Sequence, residues 1–92
     1  MQTIKIVAIE NKTIYPTKPT KVICEMEIEP NGLYEITLEE NMIFKNMSIV
    51  SSRVTNTKRI ELIIANHNAV AEYEINKDAV IGNAFILFGL SS

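Results

Sequence analysis

Apolar and polar residues alternate with a period of two along most of the chain. In "KVICEMEIE" the side chains of Val22, Cys24, Met26 and Ile28 share one side, with Lys21, Glu25, Glu27 and Glu29 mostly opposite. "YEITLE" repeats the pattern, with Tyr34, Ile36 and Leu38 set against Glu35, Thr37 and Glu39. Successive side chains of a strand point to opposite faces, so this alternation predicts half-buried β-strands. Between the two runs lies Pro30-Asn31-Gly32. Proline presets φ, and asparagine or glycine accepts positive φ, so the triplet reads as a turn joining an antiparallel hairpin.

Further strands are predicted over Thr3–Ile9, Ser48–Ser52, Arg59–Ala65, Val70–Ile75 and Asn83–Phe88. The stretch from Ile60 to Phe88 reads as strand, Asn-His turn, strand, short kink, strand. Pro16 and Pro19 mark an irregular connection after the first strand. No window shows a convincing amphipathic helix; "LEENMIFKNM" comes nearest but is short and rich in asparagine. Closely spaced strands separated by turn residues predict an all-β sandwich or barrel. Ile4–Ile9 and Ile60–Ala65 are apolar on both faces, which in a small domain predicts the core on one side and a second chain on the other.

Size sharpens that expectation. The chain of 92 residues is one domain, 1–92, and a domain this small buries only roughly 60–65% of its unfolded surface, so self-association would add stability. A hydrophobic content of 47% with 22% charged residues belongs to a globular protein and excludes a disordered one. The net charge of -2 offers no general basic field for phosphates, which disfavours nucleic acid as a partner. Cys24 is the sole cysteine, so neither an intramolecular disulfide nor a cysteine-based zinc site is expected, and its phase with Val22 and Met26 predicts a buried thiol. "MQTIKIVAIE" lacks the basic and long apolar regions of a secretory leader, and no segment reaches membrane-spanning length. The expected location is inside a cell or on a particle assembled there, which makes the triplets Asn11-Lys12-Thr13 and Asn46-Met47-Ser48 irrelevant as glycosylation sites.

From Ile14 to Phe88 the order of elements resembles the trimeric dUTP pyrophosphatase (dUTPase) family. "IYPTKPTKVICEMEIEPNGLYEITL" is similar to that family's first conserved run, in which an apolar-proline opening leads to a strand, a Pro-x-Gly-Tyr turn and a further strand ending at a Pro-Arg-Ser-Gly loop. "SRVTNTKRIELIIANHNAVAEYEINKDAVIGNAFILF" resembles the segment carrying Gly-x-Ile-Asp-x-x-Tyr-Arg-Gly-Glu, then a strand, an Asn-His turn, Phe-Glu-Ile and Gly-Asp-Arg-Ile-Ala-Gln. Arg59-x-Glu61, Asn66-His67 and Tyr73-Glu74-Ile75 match in register. The resemblance implies a β-clip or distorted jelly-roll barrel, three chains around a threefold axis, and a nucleotide site.

The letters that carry the chemistry depart from the family. Ser52 to Thr55 stand where the family has Gly-x-Ile-Asp, whose aspartate activates the attacking water; a threonine hydroxyl does not accept a proton near neutral pH. Lys58 replaces the tyrosine under the deoxyribose. Leu38 to Asn41 occupy the Pro-Arg-Ser-Gly loop, where Glu39 and Glu40 would repel a triphosphate. Ala79, Val80 and Asn83 take the places of Asp, Arg and Gln. The family's Gly-Tyr-Asp opening and its glycine-rich C-terminal arm are not found between Met1 and Ser92. These departures imply a scaffold with no catalytic, cofactor-binding or metal-binding residues.

Other chemistry is sparse. His67 stands between two asparagines with no further ligand at metal-site spacing, which favours a turn residue. Gly32, Gly82 and Gly89 are too few to build a phosphate-cradling loop. The glutamates at 25, 27, 29, 35 and 39 predict an acidic face, either a solvated surface or a docking site for a basic partner. "AFILFGL" (84–90) is apolar on both faces, as a core or subunit-exchanged strand would be.

Together these readings make the expected protein a non-catalytic homotrimer, most specifically a viral (phage) auxiliary capsid or decoration protein docking on a major capsid protein or another lattice. Its expected location is the virion or host cytoplasm, without nucleic acid, membrane or cofactor. Glu25, Glu27, Glu29, Lys58 and Arg59 are its candidate partner-binding residues. The alternative is a degenerate dUTPase-like protein that binds a nucleotide or regulates an active relative.

Overall fold

The computed structural model describes residues 3–89 and is all-β, as the alternation predicts. Its strands are β1 (Thr3–Ala8), β2 (Lys12–Ile14), β3 (Thr20–Met26), β4 (Gly32–Leu38), β5 (Met47–Val54), β6 (Arg59–Asn66), β7 (Tyr73–Ile75) and β8 (Val80–Gly89), with one helix, α1 (Glu40–Phe44), between β4 and β5. Six strands form a sheet in the order β4-β8-β1-β3-β6-β5, every neighbouring pair antiparallel. The sheet curls into a nearly closed barrel, and β2 and β7 pair separately.

Alternation decides which side of each strand is buried. Ile4, Ile6 and Ala8 of β1, Val22, Cys24 and Met26 of β3, and Ile60, Leu62 and Ile64 of β6 all face the core. Ile14 and Ile75 of the small sheet join the same cluster. On the opposite face, Val7 lies across from Glu25, Ile23 across from Glu61 and Ile63 across from Lys21. The second apolar face of the central strands is therefore half-buried and interleaved with charge.

The hairpin predicted across Pro30-Asn31-Gly32 does not form. Both edges of β3 are occupied, by β1 and β6, and β4 pairs with β8. The core-facing residues of β1, β3 and β6 are fully buried, whereas Tyr34 and Ile36 of β4 are only partly so, as suits an edge strand. The Asn-His turn likewise does not join two neighbouring strands: β6 pairs with β3 and β5, and β7 with β2. The predicted strand at Val70–Ile75 shrinks to Tyr73–Ile75, because the Asn68 side-chain oxygen accepts from the backbone N–H groups of Val70 and Ala71 at 3.1 Å each. That local loop competes with the ladder and leaves Val70 90% exposed.

The unpromising "LEENMIFKNM" does contain a helix. Glu39 caps α1, its carboxylate accepting from Asn41 N–H at 3.1 Å and Met42 N–H at 3.0 Å, and Met42 is buried beneath. Asn46 closes it with φ 65, a left-handed conformation that asparagine tolerates. Five residues suffice for turning the chain from β4 to β5, so the two terminal strands of the sheet run antiparallel from a common end.

Candidate interaction site

β4 and β5 are the outermost strands, so each presents one backbone edge that no other strand pairs among the described residues. Near α1 they border a cleft of about 230 Å³ lined by Ile36, Thr37, Leu38, Ile43, Met47, Ser48 and Ile49. Exposed apolar groups lie along α1 and β5. Phe44 is 78% exposed and Ile43 54%; along β5, Val50 and Val54 are 58% and 53% exposed.

Their exposure follows from the open seam. Val54 lies opposite Ile60 and Ser52 opposite Leu62, two core positions, so both belong to the inner face. Both remain exposed, and among the described residues no strand pairs with β5 beyond them. Arg53 points the other way, opposite Glu61, and its guanidinium meets that carboxylate at 3.0 Å. On β4, Tyr34 and Ile36 pack against the core while Glu35 between them is exposed.

The acidic face predicted from the sequence is dispersed. Glu25 lies on β3 and meets Arg59 at 3.3 Å; β3 ends at Met26, leaving Glu27 and Glu29 exposed on the following loop. Glu35 is on the non-adjacent β4, and Glu39 is engaged as the helix cap. Of the five residues named for partner binding, Glu25, Lys58 and Arg59 share a polar depression of about 180 Å³ with Asn56 and Thr57. Glu27 and Glu29 do not line it.

Thr55, which stands at the position of the resemblance's catalytic base, closes the turn between β5 and β6: its N–H donates to the Arg59 carbonyl at 3.0 Å and its hydroxyl to the same oxygen at 3.4 Å. The His67 ring lies 2.8 Å from the Ser48 hydroxyl, and the backbone N–H of His67 donates to the Asn46 carbonyl at 2.9 Å, binding the end of β6 to the start of β5. Elsewhere, Lys12, Lys18 and Lys21 surround Tyr15 at an open depression of about 290 Å³ that no carboxylate lines. That basic cluster is invisible in the net charge, since it draws lysines from β2, β3 and the loop between them.

No family model matches the chain, and neither a curated protein nor a solved structure matches it. The outer edges of β4 and β5 and the exposed apolar residues of α1 were not legible as a site in the sequence. Exposed apolar residues in "NMIF" and "SIVSSRV" gave the only signal, and there they are indistinguishable from core positions.

Proposed function

We propose that this chain is a non-catalytic binding protein that works by assembly: with itself, as a homotrimer, and with the surface of a protein lattice. The observation that carries the reading is the open seam, where two strand edges of one small barrel, unpaired among the described residues, are flanked by exposed Ile43, Phe44, Val50 and Val54. Unpaired edges and exposed apolar groups are costly in a monomer and are what a protein partner covers. The resemblance to trimeric dUTPases supplies the threefold arrangement. Thr55 engaged in a turn, and Glu39 in a helix cap, fit a scaffold put to a use other than nucleotide hydrolysis.

A threefold unit suits threefold or quasi-threefold positions of a capsid, and the finer reading is an auxiliary or decoration protein of a viral (phage) capsid. Light scattering tests the assembly, with a molar mass near three chains of 10.4 kDa each expected. Stoichiometric copies in purified particles are expected for decoration; recovery only as free trimer would remove the capsid and leave the assembly.

A second reading is favoured by the depression of Lys12, Lys18, Lys21 and Tyr15, whose cations and aromatic ring suit an anionic, ring-bearing ligand such as a nucleotide. Calorimetric titration with dUMP and dUTP, with and without Mg²⁺, decides it. Saturable heat that disappears in Lys18→Ala/Lys21→Ala supports a nucleotide-binding or regulatory protein, and a flat titration ends that reading.

A further inference from the structure

We infer that the partner of the β4 edge is the β5 edge of a second copy, joined antiparallel so that Glu35 of one chain lies opposite Arg53 of the next. The inference rests on the self-assembly reading and specifies its contact. Three features converge on it.

The first is the alternation. On β4 the inner-face residues are Tyr34, Ile36 and Leu38; on β5, beyond its irregularity between Ile49 and Ser51, they are Ser52 and Val54. A one-residue slip in register would turn every side chain to the wrong face. Only registers that set Tyr34 and Ile36 opposite Ser52 and Val54, or shifted by two, keep inner side against inner side.

The second is charge. Among those registers, one places exposed Glu35 directly across from Arg53, which is 73% exposed beyond its contact with Glu61. Tyr34 then faces Val54, Ile36 faces Ser52 and Thr37 faces Ser51. Opposite charges across strands favour pairing and like charges oppose it.

The third is exclusion of the obvious competitor. Glu35 is the central residue of β4, so two copies of β4 in full antiparallel overlap would set glutamate against glutamate. On β5 the irregularity at Val50 interrupts a flat edge. Each edge thus discourages pairing with its own kind and accepts the other. Such a contact uses different surfaces on the two chains, so successive copies close into a ring when the rotation allows.

Charge reversal tests the contact. Glu35→Arg and Arg53→Glu should each weaken self-association about tenfold or more in sedimentation at matched concentrations, and the double reversal should restore it. Arg53→Glu also sets two carboxylates together at Glu61, so thermal melting of each variant must first show a folded chain. An independent arm retains the charges. Thr37→Cys chains mixed with Ser51→Cys chains should form the mixed disulfide on oxidation, with Cys24 buried and not competing.

Mixed cross-links together with rescue by the double reversal support the contact. A wild-type monomer at high concentration overturns both the contact and the assembly reading. A wild-type oligomer that survives Glu35→Arg, or that forms no mixed disulfide, overturns the contact alone.

Discussion

Asn66 and Ile14, separated by 52 positions in sequence, are joined by a buried hydrogen bond of 3.2 Å from the Asn66 side-chain amide to the Ile14 carbonyl. The same amide donates to the Ala71 carbonyl at 2.8 Å, and the side-chain oxygen accepts from Asn68 N–H at 3.0 Å. One side chain at the end of β6 therefore fastens the β2/β7 pair and its loop to the main sheet. It is 5% exposed, so its partners have little water to turn to.

Asn66→Ala should destabilise the fold by about 1–3 kcal/mol, because it strands buried carbonyls and an N–H that were satisfied. In a chain of this size that lowers the melting temperature by roughly 4–8 °C per kcal/mol. Asn66→Asp should lower it further, since a carboxylate cannot donate to Ile14 and Ala71. Calorimetry of the two variants checks the order.

Gly82 lies on β8 between Leu38 of β4 and Ile6 of β1, and a Cβ there would run into the Thr37 carbonyl. The obstacle is strand backbone, which cannot swing aside as a side-chain tip could. Gly82→Ala should cost about 1–3 kcal/mol through overpacking and loosen β4 first. Faster amide exchange over Tyr34–Leu38, with the β3/β6 ladder unchanged, is the expected pattern.

Glu39 holds the first turn of α1, and Glu39→Ala should cost about 0.5–2 kcal/mol by removing the cap. Glu39→Gln keeps an acceptor and should lie between wild type and alanine in chemical denaturation. Since α1 sets the spacing of the two terminal strands, exchange at the start of β5 should rise with the loss of the cap.

Burial pushes the Cys24 thiol up to about 12 from an ordinary value of 9.0. The native state therefore binds this proton more tightly than the unfolded state does. The associated stability is complete below 9.0 and is lost as pH rises from there through about 12. Alkylation at pH 8 should be negligible in the folded protein and rapid in denaturant, while Cys24→Ala should remove this alkaline component of the stability profile.

What the sequence made legible follows from short-range physics. Period-two alternation at Ile4, Ile6 and Ala8, at Val22, Cys24 and Met26, and at Ile60, Leu62 and Ile64 is a local consequence of strand geometry, and each of these residues is buried. The buried thiol of Cys24 was legible for the same reason. The partners of those strands were not, because β3 could satisfy its hydrogen bonds equally well with any strand of matching pattern.

The choice of β1 and β6 over the nearby β4 depends on which strands can be buried on the whole of one face, a comparison among segments distant in the chain. The cap at Glu39 could be foreseen from its neighbours in principle, but a five-residue helix has too little periodicity to declare itself.

The amino-acid sequence by itself determined that this chain is a single all-β domain with an apolar side to its main strands, since alternation and length depend only on neighbours. Tertiary structure alone decided that β4 and β5 are the outermost strands of the described sheet, that Glu25 meets Arg59, and that Phe44 and Val54 stand exposed. Those outcomes depend on competition for pairing partners across the whole chain, and no local pattern of residues records who wins it.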